Sequence, residues 1–270
     1  MLIDVHTHLT HKKFETDRDQ VIHRAIAAGL EAIVVNGLEP SSNREILAMA
    51  EQFPQIWPAL GIYPIDAINH LLPADFEVRV SRFDVQAEVQ FIAEQAAAGK
   101  LVAIGECGLD AYWVGEETFA DQEKVFEQLI EIAKQNNLPI IIHTRKLERR
   151  STEILAHHKI EKVNFHCYGG RVKLARRVAD EHGWYFSIPA NARKNEAFTR
   201  MLQTLPEEQI LTETDAPYLA PERGDRNEPA NVKGTVEYLA ELKGWDFDRA
   251  KELVWNNFKR LFADSWKKPN

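Results

Sequence analysis

The sequence predicts an α/β fold in which eight parallel strands and their helices close into a (β/α)8 barrel, known as a TIM barrel, with an extra C-terminal helix. Three observations favour this fold. Short apolar runs recur eight times, helical patterns separate most of them, and 270 residues suit one barrel domain spanning residues 1–270. The alternative is a doubly wound open sheet, but no G-x-G-x-x-G turn follows the first strand.

The predicted strands are apolar runs rich in β-branched residues, and most of them end in polar residues. Strands that alternate with helices pair in parallel, so we expect all of them in one sheet. In chain order the runs are Leu2–Val5, Ala32–Asn36, Ile56–Ile62, Leu101–Glu106, Pro139–His143, Lys162–His166, Trp184–Ile188 and Ile210–Thr214.

The predicted helices carry apolar residues three or four positions apart, most clearly in Phe119–Asn136. Asn137 and Pro139 mark the end of that helix, and Gly29 and Gly183 mark the ends of two others. The least regular region, Tyr63–Asp84, is expected to be a loop with a short helix. The remaining helical segments are Arg18–Ala28, Arg44–Phe53, Leu174–Ala179, Phe198–Leu205 and Val232–Leu242, with Phe247–Phe262 as the additional C-terminal helix.

Composition excludes some classes of protein. The chain has 33 Lys+Arg against 41 Asp+Glu, a net charge of -8, which argues against a broad basic face for nucleic acid but leaves room for a locally positive, metal-centred cleft. The two cysteines, Cys107 and Cys167, are too few for a disulfide framework and suit a reducing compartment. Neither a signal-peptide pattern nor a run of 18 apolar residues occurs, so we expect a soluble, cytoplasmic protein without a membrane partner. No protein partner can be inferred.

The H-x-H pair at the end of the first strand is the first candidate site. Side chains alternate along a strand, so His6 and His8 point the same way and form half of a metal site. Taken alone, the pair is weak evidence for a metal site, and an ordinary, partly exposed strand end is the better interpretation of it.

The carboxyl ends of the other predicted strands supply the second half. Active sites of parallel barrels lie at these ends. Of the ten histidines, four fall at three strand ends, a concentration that scattered core or surface histidines do not produce. The polar residues at or just past the ends of strands two to eight are Asn36, Tyr63, Glu106, His143, Arg145, His166, Asn191, Glu213 and Asp215.

Five motifs along the chain resemble those of the TatD family, metal-dependent hydrolases and deoxyribonucleases of the amidohydrolase superfamily. The resemblance runs from His6 to about Phe262 and matches in both order and spacing. The motifs are Val5-His6-Thr7-His8, Gly105-Glu106-Cys107-Gly108-Leu109-Asp110, Ile142-His143-Thr144-Arg145, Phe165-His166-Cys167-Tyr168-Gly169 and Glu213-Thr214-Asp215-Ala216-Pro217-Tyr218-Leu219.

The resemblance implies a (β/α)8 barrel that holds two divalent cations. By motif, His6, His8 and Asp215 bind one cation, Glu106 bridges both, and a second histidine pair completes the other site. That pair is His143 and His166.

The chemistry of such a centre is coherent without the family name. Two cations about 3.5–4 Å apart share a hydroxide and hold both oxygens of an in-line displacement at phosphorus. Mixed nitrogen and oxygen ligands suit Zn²⁺ or Mn²⁺, and Mg²⁺ is compatible. Asp215 is the expected general base, and Glu106 is the second catalytic residue. The sequence thus predicts a divalent-metal-dependent deoxyribonuclease that cleaves DNA phosphodiester bonds by a two-metal, bridging-hydroxide mechanism and binds DNA locally and weakly.

Five further residues are predicted to contact substrate. Arg145 shares the face of His143 and suits phosphate oxygens, although a salt bridge is the alternative. Arg223, Arg226 and Asn227 lie in a segment that resembles the family's R-N-x-P element, with a plain solvated loop as the alternative. Tyr63 stands where many family members carry the histidine of G-x-H-P, so it offers a hydrogen bond without a charge.

Two other functions remain open. The first is an amidohydrolase that acts on a small phosphoester, ester, lactone or amide. A bridging carboxylated lysine after strand four would favour this function, but Glu106 occupies that position. The second is a non-catalytic metal-binding scaffold. A missing metal ligand would favour it, but all six expected ligand residues are present in the sequence.

Overall fold

The computed structural model describes residues 1–78 and 80–263. Within them, eight parallel strands pair in chain order in one sheet, which confirms the predicted TIM barrel. Residue 79 and residues 264–270 of the predicted 1–270 domain lie outside the described residues. The strands are β1 Leu2–Thr7, β2 Leu30–Asn36, β3 Ile56–Leu60, β4 Ala103–Asp110, β5 Ile140–Arg145, β6 Val163–His166, β7 Tyr185–Ile188 and β8 Ile210–Thr212.

Helices follow the strands, and the predicted C-terminal helix is present as α10 (Phe247–Phe258), which continues as a π-helical turn over Lys259–Ala263. Two helices, α4 (Val85–Ala97) and α6 (Glu148–His157), are absent from the sequence prediction. In α6 only Ile154 and Leu155 are buried apolar residues beside buried Ser151 and Thr152, so its apolar stripe is weak. The helices are α1 Arg18–Ala27, α2 Pro40–Gln52, α3 Pro64–Ala67, α4 Val85–Ala97, α5 Phe119–Gln135, α6 Glu148–His157, α7 Val172–His182, α8 Glu196–Thr204, α9 Val232–Lys243 and α10 Phe247–Phe258.

The barrel closes where β8 meets β1. Thr7 bridges to Ala216, and the backbone N–H of Asp215 donates to the carbonyl of His6 at 2.9 Å. The buried carboxylate of Asp4 accepts hydrogen bonds from the backbone N–H of Thr214 at 2.9 Å and from its hydroxyl at 2.5 Å. These contacts fix the residues after β8 against the strand that carries the H-x-H pair.

Strand β4 runs four residues beyond the predicted end at Glu106. The pairing register between β4 and β5 shifts between Ile104 and Cys107, and such irregularities redirect side chains beside active sites. The neighbouring backbone is very close there, because a Cβ at Gly61 would lie 2.4 Å from the carbonyl oxygen of Glu106. Strand β4 therefore carries Glu106 within the barrel and Asp110 at its rim.

Candidate metal centre

The six predicted ligands come together at the carboxyl ends of the strands. Five of them are buried, and Asp215 is 14% exposed, so it is the most open of the set. The ligand atoms form three overlapping groups. Within each group all atoms lie within 4.8 Å of one another, and each group could hold a metal ion. The groups are His6 with His8 and Glu106, His6 with His166 and Asp215, and Glu106 with His143 and His166.

The carboxylate of Glu106 lies between two pairs of histidines. Its Oε2 is 3.4 Å from Nε2 of His6 and 3.2 Å from Nε2 of His8. Its Oε1 is 2.8 Å from Nδ1 of His143 and 3.0 Å from Nε2 of His166. Each oxygen therefore faces a different pair, and the pairs adjoin because the rings of His6 and His166 stack 3.8 Å apart.

Asp215 lies on the side of the first pair. Its Oδ1 is 3.7 Å from Nε2 of His6 and 3.4 Å from Nε2 of His8. Its backbone is left-handed, with φ of 53°, a conformation that aspartate tolerates better than most residues. The N–H of Tyr218 donates to its carbonyl at 2.8 Å and helps to hold this turn.

The spacing of the ring nitrogens suits donors that share a cation. Two donors each about 2.1 Å from one ion lie roughly 3.0–3.4 Å apart for octahedral to tetrahedral angles. The Nε2 atoms of His6 and His8 are 3.1 Å apart, and Nδ1 of His143 is 3.4 Å from Nε2 of His166. Both pairs fall within that range, so the residues fit divalent cations.

The charges of the cluster favour a cation in this position. Burial lowers the pKa of His6 to about 3. Burial opposes charge on His8 as well, yet its contacts with Asp215 and Glu106 raise its pKa to about 10. Burial likewise opposes charge on Glu106, but the surrounding imidazoles hold its pKa well below the usual range. The carboxylates remain anionic and stabilise positive charge between the rings.

Two contacts outside the cluster orient the imidazoles. The carbonyl of Asn36 lies 3.1 Å from Nδ1 of His8, and Oδ2 of Asp110 lies 2.9 Å from Nε2 of His143. If each of these nitrogens carries the proton, the opposite nitrogen faces Glu106 with a free lone pair. Asp110 was missed as a site residue, although strand alternation from Glu106 through Gly108 to Asp110 was a usable signal.

Glu213 lies behind the cluster, near His166. Its Oε1 is 3.8 Å from Nδ1 of His166 and accepts a hydrogen bond from the backbone N–H of Cys167 at 2.9 Å. Its Oε2 accepts a hydrogen bond from the hydroxyl of Ser187. Burial raises the pKa of Glu213. It stood at a predicted strand end but was not included among the ligands.

Tyr63 packs against the ligand cluster, where it contacts Asp110 and His143. Its hydroxyl donates to Oδ2 of Asp110 at 3.1 Å, and its ring lies edge-on to His143 with centroids 4.9 Å apart. The tyrosine thereby holds the carboxylate that orients His143.

Arg226 and Asn227, two of the predicted substrate contacts, are held by contacts within the chain. The Arg226 guanidinium forms a two-pronged ion pair with Asp17, at 2.7 and 2.6 Å, because it reaches back to the start of α1. Asn227 is fully buried, and its amide N–H donates to the carbonyl of Thr214 at 2.8 Å. Its side chain therefore supports the turn that carries Asp215 and is not open to substrate.

The other two predicted contacts remain exposed. Arg145 stacks its guanidinium 3.9 Å from the centre of the Tyr112 ring, which differs from the salt bridge considered as its alternative. Arg223 lies exposed in the loop after β8. Both stay predictions as substrate contacts.

The fold and the cluster together define a class: a parallel eight-stranded barrel whose mouth can hold metal ions on histidines and carboxylates. Residues 3–263 match the family model described as TatD related DNase, and the chain belongs to that family.

Known proteins resemble it over almost its whole length. It is 35% identical to the uncharacterized metal-dependent hydrolase YabD of Bacillus subtilis, over 97% of this chain and 99% of that protein. It is 31% identical to human deoxyribonuclease TATDN3, over 97% and 94% respectively. The crystal structure of YJJV, a TatD homologue from Escherichia coli K12, superposes with a TM-score of 0.82 at 25% identity, covering 97% of this chain and 98% of that one. None of the helices in residues 1–78 and 80–263 has the length and apolar character needed to cross a bilayer.

Proposed function

We propose that this protein is a divalent-metal-dependent hydrolase that cleaves phosphodiester bonds of DNA and holds two cations. The observation that carries the proposal is the carboxylate of Glu106, which directs one oxygen to each histidine pair. A carboxylate so placed suits a bridge between neighbouring cations. The names of its relatives, a deoxyribonuclease and a metal-dependent hydrolase, support the same reaction class.

The donor atoms divide into two sets. Nε2 of His6, Nε2 of His8 and Oδ1 of Asp215 would hold one cation, and Nδ1 of His143 and Nε2 of His166 would hold the other. When bound, divalent cations lower the pKa of water and neutralise charge on phosphoryl oxygens. Nitrogen and oxygen donors in this mixture suit Zn²⁺ or Mn²⁺, with Mg²⁺ as an oxygen-preferring alternative.

Two of the ligand residues, Asp215 and Glu106, also have proposed roles in the reaction. Asp215 is the proposed general base, because it is the most exposed ligand and the imidazoles of His8 and His6 keep its pKa low despite burial. An ionised carboxylate at the mouth can accept the proton of an attacking water. Glu106 is buried and serves as the fixed anion that holds both sets together.

A substrate panel tests the proposal. Single-stranded and duplex DNA, RNA, bis-p-nitrophenyl phosphate and simple lactones are each offered with Mg²⁺, Mn²⁺ and Zn²⁺. We expect metal-dependent cleavage of the phosphodiesters, stopped by a chelator. Turnover of lactones alone would indicate the amidohydrolase alternative, and no turnover of any substrate would indicate a binding scaffold. The net charge of -8 predicts weak, salt-sensitive affinity for DNA outside the mouth.

A further inference from the structure

Two half-exposed tyrosines flank the mouth of the barrel. Among the described residues, the large apolar side chains that are exposed include just two aromatic ones, Tyr112 and Tyr218, each at 49%. Tyr112 follows Asp110, the last residue of β4, by two positions. Tyr218 follows Asp215 by three positions in the loop after β8. Both rings therefore lie just past the carboxyl end of a strand whose last residues lie at or beside the candidate metal centre.

The barrel sets these rings on opposite sides of the centre. The sheet runs from β1 to β8 in chain order, so β4 and β8 are four strands apart, half-way around an eight-stranded barrel. Loops at the carboxyl ends of opposite strands face each other across the mouth. A chain lying across the mouth would meet one tyrosine on each side of the reacting bond.

Each ring has a cation beside it. The guanidinium of Arg145 is 3.9 Å and the ammonium of Lys146 is 4.9 Å from the Tyr112 ring centre, and the ammonium of Lys13 is 5.9 Å from that of Tyr218. Arg145 has no carboxylate within ion-pair distance among residues 1–78 and 80–263. A ring beside an unpaired cation matches the repeating unit of a nucleic acid, a flat base next to a phosphate.

We propose that Tyr112 and Tyr218 are specificity residues that stack unpaired bases on either side of the reacting phosphate, with Arg145 and Lys146 binding the neighbouring phosphate on the Tyr112 side. Aromatic rings stack every base and so accept any sequence. A base inside a duplex already stacks on both neighbours, so these rings select nucleotides that are free of a partner strand. The inference rests on the proposed phosphodiesterase function and adds the part of the substrate that is recognised.

The test compares base-bearing and abasic substrates. Tyr112→Leu and Tyr218→Leu remove a ring but keep an apolar side chain, and Tyr112→Phe keeps the ring. The matched control is Trp245→Leu: Trp245 has Arg249 4.3 Å from its ring, yet it follows α9 at the end of the barrel where the strands begin. The substrates are a single-stranded oligonucleotide and the same strand with abasic sites flanking the cleaved phosphate.

We expect each tyrosine-to-leucine variant to lose about tenfold in kcat/KM on the base-bearing strand and nothing on the abasic strand. Tyr112→Phe and Trp245→Leu should match the unsubstituted protein on both. Equal losses on the two strands, or no loss on either, would overturn the inference.

A binding measurement separates this inference from the proposed function. A strand carrying 2-aminopurine loses fluorescence when that base stacks on an aromatic ring. Quenching by the unsubstituted protein that is lost in Tyr112→Leu supports stacking, even if no strand is cleaved and the proposed function fails. Quenching that is unchanged in both tyrosine variants overturns the inference, even if DNA is cleaved.

Discussion

Nε2 of His143 lies 2.9 Å from Oδ2 of Asp110, on the side of the ring away from Glu106. The contact fixes the plane of the imidazole and favours the form in which Nδ1 carries a lone pair. Asp110 is itself held by its neighbours, because Gln122 pairs with its backbone N–H and carbonyl at 2.8 and 3.0 Å.

Replacing Asp110 by Asn should weaken metal binding without unfolding the barrel. The amide still fills the space, but it no longer offers a charged acceptor to His143, and losses of such outer partners cost about 10–100-fold in metal affinity. Competition with a fluorescent chelator measures the affinity. Asp66→Asn, at another buried aspartate that contacts none of the six ligands, is the control. An affinity equal to that of the unsubstituted protein would show that Asp110 does not contribute to metal binding.

Tyr63→Phe should lower kcat modestly and leave KM unchanged. The ring stays packed on His143 while the hydrogen bond to Asp110 disappears, a change that corresponds to about 1 kcal/mol or a few-fold in rate. Steady-state kinetics on a phosphodiester separates the two constants. A rise in KM with constant kcat would instead mean that the hydroxyl contacts substrate.

Asn227→Ala should destabilise the protein by about 1–3 kcal/mol, because the carbonyl of Thr214 loses its buried donor. Arg226→Ala is the matched neighbour, and loss of its partly exposed ion pair with Asp17 should destabilise the protein less than Asn227→Ala does. Urea unfolding gives both values. Arg226→Ala should leave KM unchanged, and a large rise in KM would show that Arg226 contacts substrate.

The stability of the fold should fall between about pH 4 and pH 7 because of Asp66. Burial, aided by the charge of Glu39, raises its pKa to about 7, although the N–H of Ser81 donates to it. The folded state thus binds the proton more tightly than the unfolded state, so the stabilisation is complete below pH 4 and is lost as pH rises through 7.

Asp66→Asn removes this titration. The pH dependence of the free energy of unfolding between pH 4 and 8 should become flatter by roughly 2–4 kcal/mol. The comparison uses slopes rather than absolute values, because the new amide changes the local hydrogen bonding. Parallel curves for the two proteins would show that Asp66 ionises normally in the fold.

The barrel could be predicted from the sequence because it depends on a periodic pattern, whereas the roles of the six proposed ligands came from motifs that resemble those of the TatD family. Alternating strands and helices predict the barrel, and the barrel rule brings His6 and Asp215 together although they are far apart in the chain. The contacts around them could not be predicted in this way. The hydrogen bond from Tyr63 to Asp110 and the one from Asn227 to Thr214 depend on how loops pack in space. No local pattern in the sequence indicates that packing.

Metal stoichiometry in Glu106→Gln tests the central claim most directly. Equilibrium dialysis with Mn²⁺ should find two ions per chain in the unsubstituted protein and at most one in the variant, because a neutral amide cannot bridge two cations. Phosphodiester turnover should fall by roughly 10³-fold, since both cations are needed to stabilise the reacting oxygens, while the far-ultraviolet circular dichroism stays the same. Two ions still bound to the variant, or turnover equal to that of the unsubstituted protein, would contradict a centre of two cations held together by Glu106.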